Sequence, residues 1–206
     1  MLIEVKHPCV QAALTRLRDR ETAAKEFREQ VGTITGLLAF EALRNLEVEE
    51  VVVRTPLAEC DGWRIRSEVV VVPILRAGLG MLESILRLVP DARVGFIGLE
   101  RNEITAEPRE YYCKLPEATP DSFVLVIDPM LATGGSLSAA IRLLKAKGFR
   151  RICVLSILSA PDGVARMEQD HPETPAYTGG LDPALDAHHY IVPGLGDAGD
   201  RLFLLF

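Results

Sequence analysis

The stretch Phe123-Val-Leu-Val-Ile-Asp-Pro-Met-Leu-Ala-Thr-Gly-Gly-Ser136 constrains this chain most. Phe123 to Ile127 is an apolar run with the length and composition of a strand buried on both faces of a parallel sheet. Pro129 has no N–H for a sheet ladder, so the strand should stop at Asp128-Pro129. Thr133-Gly134-Gly135-Ser136 follows, and then a helical pattern from Leu137 to Lys147. A strand, a turn rich in glycine and hydroxyls, and a helix make the layout of an anion site. Glycines let a ligand approach the backbone. Free N–H groups at the helix start attract negative charge, and Thr133 and Ser136 add hydroxyl donors. Asp128 would repel a phosphate but suits sugar hydroxyls or a hydrated Mg²⁺. The alternative is an ordinary strand-to-helix turn with a glycine pair. Without Gly-Lys-Ser/Thr, the loop is not a Walker P-loop.

A second unit repeats the layout. Val69 to Val72 reads as a buried strand ending at Pro73, followed by Ile74-Leu-Arg-Ala-Gly-Leu-Gly80 and a helix from about Met81 to Leu88. Arg76, at a strand's carboxyl end beside glycines, is well placed for a diphosphate. A surface arginine capping a turn is the alternative. Ligands of open parallel sheets sit beyond the carboxyl ends of the strands, where both loops would lie.

The remaining pattern supports one α/β domain. Residues 1–7 read as an extended arm, Pro8 as a helix start, and Glu21 to Leu46 as a long helix with Thr22 as cap. Strands are expected at Glu49 to Thr55, Arg93 to Leu99 and Arg150 to Leu158, and a short helix at Pro161 to Gln169. Pro56 to Glu68, with Trp63, reads as turns. The polar stretch Glu100 to Lys114 is long for a connection and has the character of a lid, with Arg101 able to swing over a diphosphate. A solvated β-ribbon is the competing reading for Arg109, Tyr111, Tyr112 and Lys114. His188 and His189 are adjacent, would face opposite ways in a strand, and make no metal pair.

Gly194, Gly196 and Gly199 match G-x-G-x-x-G, but too little chain follows for a dinucleotide unit. They offer exposed backbone instead. Gly194, Gly196, Gly199 and Asp197 can form a collar whose N–H and C=O groups read the edge of a flat polar ring such as uracil. A C-terminal turn without a ligand is the alternative.

Lysine and arginine number 23 against 29 acids, a net charge of −6 over 206 residues. That balance disfavours non-specific nucleic-acid binding. Cys9, Cys60, Cys113 and Cys153 form no Cys-x-x-Cys pair, which fits a reduced, cytoplasmic setting. No apolar run approaches the roughly 18 residues a membrane span needs, and the start lacks the pattern of a signal peptide.

Four stretches together resemble the uracil phosphoribosyltransferases, within the type I phosphoribosyltransferases: Pro73 to Met81, Arg101-Asn-Glu103, Asp128 to Ser136, and Tyr190 to Asp200. The resemblance implies an open parallel sheet flanked by helices, with an N-terminal helical arm and a small hood. All of 1–206 would form one phosphoribosyltransferase domain, 1–46 supplying the arm and helices and about 170–206 contributing to the hood. It implies transfer of the phosphoribosyl group of 5-phospho-α-D-ribose 1-diphosphate (PRPP) to uracil, with Mg²⁺ carried mainly by PRPP and no metal ligand among the side chains. Arg76 and Arg101 would contact the diphosphate. Asp128 would hold the ribose hydroxyls, and Pro129, Met130, Leu131, Ala132, Thr133, Gly134, Gly135 and Ser136 would complete the PRPP loop. Ile191, Gly196, Asp197 and Ala198 would bind uracil, with Asp197 also near PRPP; Asp197 and Arg101 are the candidate catalytic residues. A homodimer or higher homo-oligomer and activation by GTP are further expectations of the family.

Purine enzymes of the wider group carry further acids where this chain has Pro129 and Ala132, which argues against a purine. Orotate would call for an extra cation near the base, and none is evident between Tyr190 and Asp200. A regulatory RNA-binding protein on the same fold would need a basic face. The chain departs from the family in its apolar end, Leu204-Leu205-Phe206.

Overall fold

A computed structural model describes residues 1–101 and 108–204. In chain order the elements are β1 (Leu2–Glu4), α1 (Pro8–Arg18), α2 (Ala24–Ala42), β2 (Val48–Arg54), β3 (Glu59–Ile65), β4 (Glu68–Leu75), α3 (Leu79–Leu88), β5 (Arg93–Val94), β6 (Phe96–Arg101), β7 (Pro108–Lys114), β8 (Ser122–Ile127), β9 (Met130–Leu131), α4 (Gly135–Ala146), β10 (Arg151–Ser156), β11 (Leu158–Ser159), α5 (Pro161–Asp170), β12 (Ala176–Thr178), β13 (Ala184–Leu185), β14 (Ile191–Val192) and α6 (Ala198–Phe203).

The main sheet has the order β1-β12-β10-β8-β4-β6-β7, with β5 also beside β4. Its pairs are parallel except β6 with β7. Alternate residues of one strand serve two separate cores. Val69, Val71, Leu125, Ile127, Cys153 and Leu155 pack with α1, α2, α3 and α6 through Leu17, Phe27, Ile34, Met81, Ile85 and Leu202. Val70, Val72, Val124, Val126, Ile152 and Val154 face α4 and its surroundings through Leu137, Ile141, Leu144, Phe149 and Met167. The expected α/β fold with an open parallel sheet is what the chain forms.

Several local expectations are corrected. β4 runs through Pro73 to Leu75. Pairing with β8 ends at Pro73 opposite Ile127, and Ile74 and Leu75 then pair with β6 on the other side. The missing proline N–H therefore falls where the strand changes partner. α2 spans Ala24–Ala42 and its N-cap is Ala23, with no side-chain bond. Thr22 cannot cap it because its hydroxyl donates to the Arg16 carbonyl at the end of α1 (2.6 Å). The supposed turns before Glu68 contain β3, paired along its whole length with β2 in a separate antiparallel hairpin. The third strand is divided into β5 and β6 at Gly95, and Arg150 to Leu158 into β10 and β11. β6 and β7 form the ribbon that was one of two readings for Arg109 to Lys114. The extended arm at the start holds β1, an edge strand parallel to β12. His188 and His189 lie in a turn, His189 with φ of +65°, not in a strand.

Candidate active site

β8 ends at Ile127, and the Asp128–Leu131 backbone is pinned by its neighbours. The Asp128 N–H donates to Leu155 O (3.2 Å), Ile157 N–H to Pro129 O (2.9 Å), and Ala160 N–H to Leu131 O (2.9 Å). The chain then enters α4 through Gly134, which has φ of +75° and takes the N-cap position without a side-chain cap. Side chains disfavour that φ, and a Cβ there would also lie 2.9 Å from Gly163 O of α5. With no capping side chain, the first N–H groups of α4 are left without a side-chain acceptor, between Thr133 and Ser136.

Asp128 keeps some exposure but is closely walled by protein. Desolvation pushes its carboxyl up to about 7, against a long 3.5 Å bond from the Met130 N–H that favours the charged form.

The loop after β4 lies next to this one, because Pro73 pairs with Ile127. Its Leu75–Arg76 peptide is cis. Gly78 is packed so tightly that a Cβ would sit 2.5 Å from Ile127 O. Arg76 is exposed and makes no ion pair among the described residues. β6 carries the Arg101 backbone to the same end of the sheet. The Arg101 side chain, Asn102 and Glu103 lie outside the described residues, as do Leu205 and Phe206.

The third wall comes from the last part of the chain. A cleft of about 200 Å³ is lined by Ala77, Met130, Ala132, His189, Tyr190, Ile191, Gly196, Asp197, Ala198 and Gly199. The structure therefore brings Ile191, Gly196, Asp197 and Ala198 together with Met130 and Ala132 in one cleft. Asp197 is the N-cap of α6: its carboxylate accepts the Asp200 N–H (2.9 Å). Gly199 opens α6 close to Ala77, 3.8 Å from a Cβ built on it.

The collar is corrected at Gly194. Its N–H donates to Asp182 Oδ2 (2.7 Å) and its carbonyl accepts from Arg18 Nη1 (2.9 Å), so neither is free to read a base. Leu195 O is likewise taken, by Arg201 Nη1 (2.9 Å).

Sequence reasoning missed the residues that hold this wall. Arg18 forms a two-pronged ion pair with Asp182 (2.7 and 2.5 Å). Burial alone would raise the Asp182 carboxyl, but Arg18 and the Gly194 N–H outweigh it and hold it below the usual range. Arg201 donates to Leu17 O, Asp19 O and Leu195 O, and stacks on Phe27 with its guanidinium carbon 4.3 Å from the ring centre. Arg28 donates to Leu202 O (2.7 Å). No local motif marks these pairs, since their partners lie far away in sequence. His189 and Tyr190 in the cleft were also missed as lining, because the turn that presents them was not foreseen.

Among the described residues, no group of three or more His, Cys, Asp or Glu is placed to hold a metal ion. The one buried side-chain oxygen without a partner there is Ser156 Oγ, at the end of β10.

A family model described as uracil phosphoribosyltransferase matches residues 4–204. The chain belongs to that family. A uracil phosphoribosyltransferase of Dictyoglomus turgidum is 50% identical over 204 residues, covering 98% of this chain and 99% of its own. One from Symbiobacterium thermophilum is 50% identical over 203 residues, covering 98% and 97%. A solved Aquifex aeolicus protein superposes with a TM-score of 0.94 at 38% identity, covering 100% of this chain and 99% of that one. A hypoxanthine-guanine phosphoribosyltransferase of Bacillus anthracis shares the fold, with a TM-score of 0.54 at 17% identity over 77% of this chain and 80% of its own. The family resemblance read from the four motifs is thus confirmed along nearly the whole chain, and the fold belongs with the phosphoribosyltransferases.

Proposed function

We propose that this enzyme joins uracil N1 to C1′ of PRPP, giving UMP and diphosphate, a pyrimidine-salvage reaction. One observation carries the reading beyond family membership. The cleft that contains Ile191 and Gly196-Asp197-Ala198 shares its wall with Met130 and Ala132 of the glycine-rich loop. A flat base held there lies beside a phosphoribosyl group held by the loop.

The roles follow from chemistry. The N–H groups of Gly134, Gly135 and Ser136 at the start of α4, with the Thr133 and Ser136 hydroxyls, would take the 5′-phosphate. Asp128 would accept hydrogen bonds from the ribose hydroxyls, and Pro129, Met130 and Leu131 fix its position. Arg76 and Arg101 would contact the diphosphate that leaves as the C1′–O bond breaks. Ile191 would pack on the ring, and the backbone of Gly196, Asp197 and Ala198 would meet its polar edge. Asp197 would orient uracil or take the N1 proton. Holding N1 against C1′ supplies much of the acceleration, and positive charge on the leaving group supplies more.

Asp128, a partly exposed carboxylate just past the carboxyl end of β8, suits Mg²⁺ brought in by the substrate with its waters and phosphate ligands. When bound, the ion would neutralise charge on the diphosphate.

We further propose a homo-oligomer. The β2–β3 hairpin pairs only with itself in the sheet map, and it exposes Val52, Leu57, Trp63 and Ile65. Apolar groups so displayed suit a subunit contact. The four cysteines are free, Cys9 and Cys60 on the surface, which fits a cytoplasmic place. Among the described residues no helix is long and apolar enough to cross a membrane. Activation by GTP rests on the family resemblance alone.

The test offers the purified protein PRPP and Mg²⁺ with uracil, orotate, hypoxanthine or guanine, with and without GTP, and follows nucleotide formation by chromatography. Product from uracil alone, abolished by a chelator, is expected. Product from a different base would overturn the assignment of Ile191 and Gly196 to Ala198. Sedimentation would report the oligomer, and a higher rate with GTP would report the activation.

A further inference from the structure

Arg18 closes α1, and Asp182 lies in the segment after β12, 164 residues away. Arg18 Nη1 donates to Asp182 Oδ2 (2.7 Å) and to Gly194 O (2.9 Å), and Nη2 donates to Asp182 Oδ1 (2.5 Å). Asp182 Oδ2 also accepts the Gly194 N–H (2.7 Å). One ion pair therefore satisfies both backbone polar groups of Gly194. The Asp182 side chain is 6% exposed and that of Arg18 is 28% exposed, so the bonds are shielded from competing water.

Gly194 lies in the turn between two residues that line the cleft. It has φ of +64°, and a Cβ on it would lie 2.0 Å from Ile191 O. Ile191 on one side of it and Gly196 on the other both line the cleft. A buried ion pair is weak evidence for stability, because desolvating two charges offsets much of their attraction. Its particular effect here is geometric. It fixes a glycine turn that nothing in the glycine itself would hold.

We propose that Arg18 and Asp182 are positioning residues for the base: they lock Gly194 so that Ile191 and the Gly196-Asp197-Ala198 backbone meet the ring at one fixed distance and tilt. This rests on the uracil reading of the cleft. Neither residue touches the ring. Their effect should fall on the base and spare PRPP, because Thr133 to Ser136 lead into α4 and pack against α5 at Gly163, away from Gly194. It should also fall on selectivity. Uracil and cytosine have the same shape but differ in donors and acceptors along one edge, so a loosened backbone discriminates between them less well.

The experiment measures steady-state kinetics of the wild type, Arg18→Lys, Arg18→Gln, Asp182→Asn and Asp182→Glu, with thermal melts to identify folded variants. Loss of a charge-assisted contact should raise the uracil KM about tenfold in Arg18→Gln and Asp182→Asn. The PRPP KM should stay within about twofold, the preference for uracil over cytosine should fall, and Arg18→Lys should restore part of the loss. A purely structural role would lower the melting temperature or kcat while leaving the ratio of the two KM values and the base preference unchanged; that result overturns the proposal. Where Asp182→Asn does not fold, Arg18→Lys and Arg18→Gln carry the same comparison. Absence of uracil turnover in the wild type overturns the uracil reading itself, whereas wild-type turnover without the KM split overturns the clamp alone.

Discussion

Gly134 and Gly163 meet back to back where α4 and α5 start. A Cβ on Gly134 would lie 2.9 Å from Gly163 O, and one on Gly163 would lie 2.5 Å from Ala132 O. The glycine-rich loop therefore owes its shape to a glycine outside it. Gly163→Ala pushes against backbone, which cannot swing aside as a side chain can. It should destabilise the protein by about 1–3 kcal/mol and raise the PRPP KM, with little change in that for uracil. A melt and two saturation curves decide it; an unchanged PRPP KM would show that the loop tolerates displacement.

Asp197 has two roles that substitution can separate. Its carboxylate caps α6 by accepting the Asp200 N–H. Asparagine caps about as well as aspartate, and alanine does not. Asp197→Asn should keep the melting temperature and lose turnover. Asp197→Ala should lose turnover and also about 1 kcal/mol of stability. Near-normal turnover in Asp197→Asn would remove the charge from the mechanism.

Burial raises the Asp128 carboxyl to about 7. The folded value lies above the unfolded one, so between roughly pH 4 and 7 the folded state binds more protons than the unfolded state. Stability from this group is therefore greatest at low pH and falls as pH rises through about 7. Denaturation of wild type and Asp128→Asn across that window should show the wild-type advantage shrinking as pH increases. In the absence of ligand, a difference that grows with pH would contradict the raised value. PRPP affinity should move oppositely, weakening below about pH 7 as the acceptor is protonated.

Arg76 is exposed and has no ion-pair partner among the described residues. Arg76→Ala should change stability by no more than about 0.5 kcal/mol. Its kcat/KM for PRPP should drop by about a hundredfold, roughly the loss of a charge contact to a departing diphosphate. Unchanged kcat/KM would place the leaving group elsewhere.

What could be seen in the sequence is what parallel sheets make local. Val69 to Val72 and Phe123 to Ile127 are continuous apolar runs because each strand is covered on both faces, and the loops after them advertise themselves with glycines. Pro73 misled, because a proline is tolerated where a strand trades one neighbour for another. β3 was invisible because Glu59 to Ile65 carries neither alternation nor an apolar run, and most of it faces outward. The bonds from Arg18, Arg28 and Arg201 to the far end of the chain could not be read at all. Each joins residues more than 160 positions apart or binds carbonyl groups, which any sequence supplies.

The cleft's two kinds of wall have different origins along the polypeptide. The loops after β4 and β8 both belong to the middle of the chain, between residues 68 and 136. The base-side wall, by contrast, is stapled together from α1, α2 and the segment that follows β12. On the proposed reading, the ring and the sugar phosphate would be handled by separate stretches, so changes in base choice could accumulate in the outer segments without disturbing the inner one.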